Sequence, residues 1–172
     1  GEFVSTSSVG SSVVSISGDS TVEAITYLAA GDEVNISAAV VGGGVSWNKQ
    51  SSEKTTLKST SDTSSVVIDG ATINADVVGG GYAYGSGSET AVKNAALTIS
   101  NAKLGSSGKE VNVYAGGIAF ANAKSSSVES ALLQITATTV SGSVYTGGSG
   151  ANSTVGTSSA SLTDTTVSGA LN

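Results

Sequence analysis

Val40-Val41-Gly42-Gly43-Gly44, Val77-Val78-Gly79-Gly80-Gly81, Val113-Tyr114-Ala115-Gly116-Gly117 and Val144-Tyr145-Thr146-Gly147-Gly148 are four versions of one segment. They begin 37, 36 and 31 residues apart. A period of this size marks a stacked-repeat architecture, in which one unit cannot bury its apolar face alone and leans on its neighbours. The repeat also extends upstream of the glycines. Val66, Ile68, Ile73 and Val77 set a spacing that Leu133, Ile135, Val140 and Val144 reproduce. Leu97, Ile99 and Leu104 follow it until an insertion, Gly105 to Glu110, precedes Val111 and Val113. Ala160, Leu162, Val167 and Leu171 give a last copy. A partial first copy is read at Ile36 and Val40, with Leu28 and Val34 upstream at less regular spacing.

Helix is hard to build from this chain. It has 23 Gly, and Gly costs about 1 kcal/mol at each helical position. Apolar residues at helical spacing occur only from Val128 to Leu133. Alternation is common instead, as in Leu97-x-Ile99, Leu133-x-Ile135, Val66-x-Ile68, Val111-x-Val113 and Ser12 to Ser17. Short alternating runs between Asp-Gly, Ser-Asn and Ser-Gly turns predict short strands. Each repeat is expected to hold about three strands, one of them carrying the glycine run, with a polar connection of variable length before the Leu-x-Ile pair. One repeat per coil makes an all-β parallel β-solenoid, with like residues stacked from coil to coil. The absence of Pro fits, because Pro cannot donate to a ladder. An antiparallel sandwich also has many short strands but predicts no column-wise self-similarity.

The expected organisation is an irregular N-terminal capping segment over 1–35, opening on a cloning remnant at Gly1-Glu2-Phe3, and solenoid repeats over 36–172. A start without a signal sequence and a stop inside a repeat read as an excerpt of a longer array. No apolar run reaches the roughly 20 residues of a membrane span.

Composition narrows the function. The net charge is −6 and all seven basic residues are Lys, so no basic patch or Arg fork is available for nucleic acid. Lys49, Lys54 and Lys58 lie in or beside the Ser/Thr-rich stretch from Gln50 to Ser65, which is expected to be a solvated loop. With no His and no Cys, proton transfer and thiol chemistry lack their usual groups. Paired carboxylates of a polysaccharide-active β-helix would have to come from Asp69, Asp76 and Asp164, of which Asp69 and Asp164 read as turn residues. Gly147 to Thr154 resembles a calcium-binding nonapeptide, but Asn152 stands in place of the carboxylate and Thr154 in place of the apolar residue. No catalytic residue, metal site or cofactor is therefore expected. Thr136-x-Thr138 and Thr163-x-Thr165 would begin the regular Thr array of an ice-binding face, but earlier repeats carry Asp69-x-Ala71 and Ser100-x-Ala102 there. The sequons at Asn35 and Asn152 fall in repeat columns and need no glycan to explain them.

The sharpest candidate site follows the glycines. Trp47, Tyr84, Phe120 and Ala151 occupy one column, which takes three of the chain's eight aromatic residues. Val45, Tyr82, Ile118 and Ser149 share its side, and Tyr114 and Tyr145 share its parity. The candidate binding residues are Trp47, Tyr82, Tyr84 and Phe120, as a stripe that stacks on sugar rings or anchors a protein. The competing reading makes the same column core, and parity does not decide between them.

The pattern Leu-x-Ile, turn, apolar, x-x-x, Val-Tyr, Gly-Gly resembles the passenger repeats of large bacterial autotransporter adhesins over roughly Ile36 to Asn172. The resemblance implies a right-handed parallel β-helix exported to the bacterial cell surface. It implies an extracellular, non-catalytic adhesin whose partner is a host surface glycan, an extracellular-matrix protein or another copy. Membrane attachment would come only through other parts of the full-length protein. A purely structural stalk and, further off, a polysaccharide-active enzyme are the alternatives.

Overall fold

A computed structural model describes residues 3–23, 26–29, 32–35, 38–48, 55–106 and 108–172. The described residues form strands and no helix. The first coil holds β1 (Phe3–Ser17), β2 (Thr21–Glu23), β3 (Thr26–Ala29), β4 (Asp32–Asn35), β5 (Ala38–Val41) and β6 (Val45–Trp47). The second holds β7 (Thr55–Asp69), β8 (Thr72–Asn74), β9 (Asp76–Val78) and β10 (Tyr82–Tyr84). The third holds β11 (Ser88–Ser100), β12 (Lys103–Leu104), β13 (Val113–Tyr114) and β14 (Ile118–Phe120). The fourth holds β15 (Ser125–Thr136), β16 (Thr139–Val140) and β17 (Val144–Tyr145), and β18 (Ser153–Thr163) and β19 (Thr166–Val167) begin the fifth.

Like strands pair in parallel. A base sheet runs β1-β7-β11-β15-β18, a second sheet β2-β8-β12-β16-β19, a third β5-β9-β13-β17 and a fourth β6-β10-β14. The chain is thus a parallel β-solenoid with four stacking strands in a full coil, the first coil carrying the antiparallel β3–β4 pair besides. The expected three become four because the glycine run is a corner and not strand interior, so β9 and β10 belong to different sheets.

The repeat columns are the core. Val14, Val66, Leu97, Leu133 and Ala160 stand in register, as do Ile16, Ile68, Ile99, Ile135 and Leu162. Val22, Ile73, Leu104, Val140 and Val167 face them from the second sheet. Val40, Val77, Val113 and Val144 close the prism from the third. Leu97, Ile99, Leu104, Leu133 and Ile135 are wholly buried, and each such side chain contributes about 1.5–3 kcal/mol of burial. The turn leaving the base sheet has positive φ in every coil, at Gly18, Gly70, Asn101, Ala137 and Asp164. Asp164 is therefore a turn residue, as expected.

Two sequence boundaries move. The segment read as irregular, 1–35, contains β1 and β2, which pair in register with β7 and β8. Val22, and not Ile36, is the partner of Ile73; Ile36 lies outside the described residues. The antiparallel hairpin β3–β4, home of Leu28 and Val34, separates this coil's halves and hides its period. The stretch read as a loop from Gln50 to Ser65 is strand from Thr55 onward; Lys49, Gln50 and Lys54 lie outside the described residues.

That strand explains the hidden half of every repeat. In β11, Ser88, Thr90 and Val92 are buried, Lys93 and Asn94 are both exposed, and Ala95, Leu97 and Ile99 are buried. The alternation slips by one residue, and the ladder steps from Val92↔Val128 to Asn94↔Ser130. The same step occurs at Gly10/Asp62 and at Glu129/Gly156. The base sheet therefore bends along one column. Its C-terminal half faces the apolar prism, and its N-terminal half faces the fourth sheet across a thin lobe of Ser, Thr and Ala.

Candidate functional site: an aromatic corner

The corner between the third and fourth sheets is built by glycine. The Gly43 N–H donates to the Gly80 carbonyl (2.8 Å), Gly80 to Gly116 (2.9 Å) and Gly116 to Gly147 (2.9 Å). This is the single column expected from the repeat. The corner presses on the bend of the base sheet. A Cβ on Gly80 would stand 2.6 Å from Val128 Cγ2, and one on Gly116 would stand 2.5 Å from Val155 Cγ2. Glycine is required here because no side chain fits between corner and base.

Past the corner the chain turns away and runs back along the thin lobe. The inner face of the fourth sheet carries Ser46, Ala83 and Ala119, all buried. Ser and Thr satisfy the backbone beneath it. Ser46 Oγ donates to the Leu57 carbonyl (2.6 Å), Ser88 Oγ to Tyr84 (2.6 Å) and Ser153 Oγ to Gly117 (2.8 Å). Thr90 Oγ1 donates to Ser126 Oγ (2.8 Å), which donates to the Gly81 carbonyl (3.1 Å).

The outer faces of the two sheets meet in the angle of the corner, and the aromatics gather there. Val41, Val78, Tyr114 and Tyr145 line one wall. Val45, Tyr82 and Ile118 form the inner column of the other wall, and Trp47, Tyr84 and Phe120 the outer one. Val78, Tyr82, Tyr114 and Ile118 pack into a second, small core, separate from the prism, with Tyr84 and Tyr145 against it. Tyr114 and Tyr145 stack with ring centres 4.8 Å apart and planes 10° from parallel. Trp47 meets Tyr84 edge to face at 5.7 Å and 76°, and Tyr84 meets Phe120 at 5.9 Å and 38°.

Burial grades across this wall. Tyr82 is 4% exposed, Trp47 and Tyr84 are half-buried, and Phe120 is 59% exposed. Tyr82, one of the four candidate binding residues, is therefore packing and not contact surface, because the third sheet covers it. Trp47, Tyr84 and Phe120 form one ladder, a rung per coil. The fourth position fails: Ser149 bridges Ile118, and the chain turns through Ala151. Beside Phe120 lies a shallow hollow of about 260 Å³ lined by Ala119, Asn122, Gly150 and Asn152. Asn152 Nδ2 donates to the Ala123 carbonyl (2.8 Å), which gives the nonapeptide-like segment a turn role.

The electrostatics of the corner favour neutral groups. Burial, then the charge of Asp76 and the neighbouring Tyr145, pushes the Tyr114 hydroxyl up to about 12. Burial also raises the Asp76 carboxyl above its ordinary range, against the N–H of Asn112 that donates to it (2.8 Å). That contact belongs to a ladder that the sequence did not reveal. Asn112 Oδ1 in turn accepts from Ser143 N (2.8 Å), and Ser143 Oγ from Ala170 N (3.0 Å). Each side chain satisfies the next coil's backbone where the third sheet begins. The other two carboxylates stand elsewhere. Asp69 accepts from Asn101 Nδ2 (2.9 Å) and Ser100 Oγ (2.7 Å), which hold it below the usual carboxylate range. Asp164 sits in the corresponding turn of another coil.

A second hollow differs in character from the aromatic corner. It is a polar hollow of about 370 Å³ around the 105–110 insertion, lined by Lys103, Ser106, Lys109, Glu110 and Ser141. Lys109 pairs there with Glu23, which is held below its ordinary range by that pair and by Asn74. The Thr136-x-Thr138 pair does not form one surface, since Thr138 is 3% exposed and donates to the Thr136 carbonyl. Among the described residues no group of three or more His, Cys, Asp or Glu is placed to hold a metal ion. No family model matches this chain, and neither the curated proteins nor the solved structures compared with it give a match.

Proposed function

We propose that this chain is a non-catalytic segment of a bacterial surface adhesin, displayed outside the cell, that touches its partner along the outer aromatic column. The observation that carries the reading is the ladder of Trp47, Tyr84 and Phe120, one ring per coil, opening to solvent at Phe120. Exposed aromatic edges anchor partners because they offer large apolar area at low entropic cost. A host surface glycan or a matrix protein is the partner class, and the resemblance to autotransporter passenger repeats supplies the location. The net charge of −6 disfavours nucleic acid. Membrane attachment would lie in other parts of a full-length protein.

A purely structural stalk is the second reading, and the burial of Tyr82 and Tyr114 favours it, since much of the aromatic surface is spent inside the corner. A glycan and matrix-protein array separates the two. Binding by the native chain that is lost in Phe120→Ala and Tyr84→Ala, with the melt of the Phe120 variant unchanged, supports adhesion through the ladder. Absence of binding by the native chain across the array supports the stalk.

A further inference from the structure

The insertion at 105–110 folds back over the coils that precede it. Leu104 pairs with Ile73, and the ladder runs one step further, with Gly105 N donating to the Ile73 carbonyl (2.7 Å). The chain then leaves the column in a tight turn, in which Lys109 N donates to the Ser106 carbonyl (3.1 Å). Ser141 of the fourth coil holds the far end of this turn, donating from Oγ to the Lys109 carbonyl (2.9 Å). The side chains of Ser106 and Lys109 reach the other way, to the second coil and the first.

There they meet a carboxylate and a carboxamide. Glu23 and Asn74 are parallel partners at the ends of β2 and β8. Asn74 Nδ2 donates to Glu23 Oε1 (2.7 Å), and Lys109 Nζ donates to Glu23 Oε2 (2.5 Å). Ser106 Oγ donates to Asn74 Oδ1 (2.8 Å). The ion pairs Lys93–Asp62 and Lys124–Glu89 join neighbouring coils. Lys109–Glu23 instead skips a coil, and the buried Asn74 is that coil's residue in the column. An amine and a carboxamide are thus held side by side on the two oxygens of one base, with a hydroxyl already on the amide oxygen. An amine that gives up a proton is a nucleophile, a carboxylate can take and return that proton, and a donor on the carbonyl oxygen stabilises an oxyanion.

We propose that Lys109 and Asn74 join in an isopeptide bond, with Glu23 as proton shuttle and Ser106 as oxyanion donor. A proton passes from Lys109 Nζ to Glu23 Oε2. The freed lone pair attacks Cγ of Asn74, and the negative charge that gathers on Oδ1 is held by Ser106 Oγ. The Cγ–Nδ2 bond breaks as Glu23 returns its proton to Nδ2. The new amide keeps one proton on Nζ, and the two that Nζ gave up depart with the old amide nitrogen as ammonium. Nothing is oxidised or reduced, and no co-reactant is needed. The fold supplies the proximity that makes such a step effectively unimolecular. The product staples the insertion of the third coil to the second coil, in a chain that has no Cys for disulfides. It does not depend on the aromatic column as a binding edge.

Mass spectrometry of the 172-residue chain, folded and incubated at neutral pH, tests this. The intact mass should fall below the sequence mass by one ammonia. Trypsin should then fail to cut after Lys109 and should release residues 59–93 covalently joined to residues 104–124. Lys109→Arg and Glu23→Gln should keep the full mass and give no joined peptide. Lys103→Arg, at another lysine of the same hollow, should still form the bond. Ser106→Ala should form it more slowly, on the order of 10²-fold. Lys109 is exposed and Arg keeps its charge, so that variant should retain the native circular dichroism and serves as the control if Glu23→Gln fails to fold. A native chain that stays at its sequence mass overturns the proposal and leaves a hydrogen-bonded clasp. Ammonia loss that persists in Lys109→Arg also overturns it, because it assigns the loss to cyclisation of an Asn. So does a joined peptide from Glu23→Gln.

Discussion

Each coil divides at the bend of the base sheet into two unequal halves. On one side Leu97, Ile99, Leu104 and Val113 fill a dry prism at 0% exposure. On the other, Ser88, Thr90, Ser126 and Ala83 fill a thin lobe held by side-chain hydroxyls on backbone carbonyls. The prism is stabilised by area removed from water, and the lobe by satisfied polar groups whose net worth is small. Stability is therefore concentrated on one side. The lobe carries on its outer face the aromatic column, which holds aromatic surface that the prism does not need.

The largest expected effect lies in the prism. Leu97→Ala should cost about 2–5 kcal/mol, because both the transfer of the side chain and the cavity it leaves count against folding. Denaturant midpoints measure it, and a loss under about 1 kcal/mol would mean that the lobe carries the coil. At the boundary between the halves, Gly80→Ala should cost about 1–3 kcal/mol by driving a methyl into Val128 and the Gly116 backbone. An unchanged midpoint would show that the corner does not press on the base sheet. Within the lobe, Thr90→Val should cost about 1 kcal/mol, the net value of its bond to Ser126.

A pH titration sharpens the comparison at the corner. Burial pushes the Tyr114 hydroxyl up to about 12 in the folded chain, against roughly 10 when unfolded. As pH climbs through that window, the unfolded chain loses this proton first, so stability falls. A phenolate absorbance titration should contain a late step at about 12 that Tyr114→Phe removes. Loss of that step only on unfolding supports the packed corner, and its absence from the native protein contradicts it.

The prism was legible in the sequence and the lobe was not, for physical reasons. Leu-x-Ile pairs alternate with the pleat and repeat because they stack, so Val66, Leu97 and Leu133 announced their column. The N-terminal halves of β7, β11 and β15 are interior too, but they are filled with Ser, Thr and Ala, which read as loop. The bend then shifts the inward positions by one. Val128, Ala131 and Leu133 all face in, and their spacing imitates a helix. The first coil was missed because the β3–β4 hairpin interrupts it. The aromatic column was found from its spacing alone. The difference between Tyr82 and Phe120 was out of reach, because it depends on the third sheet folding over one and not the other.

The most direct test of this division is equilibrium denaturation of Phe120→Ala beside Leu97→Ala. Phe120 is 59% exposed and Leu97 is 0% exposed. The larger side chain should therefore be the cheaper one to remove, with Phe120→Ala within about 0.5 kcal/mol of the native chain and Leu97→Ala lower by about 2–5 kcal/mol. Equal losses, or a greater loss at Phe120, would mean that the aromatic column is core and that the two halves of the coil share one stability.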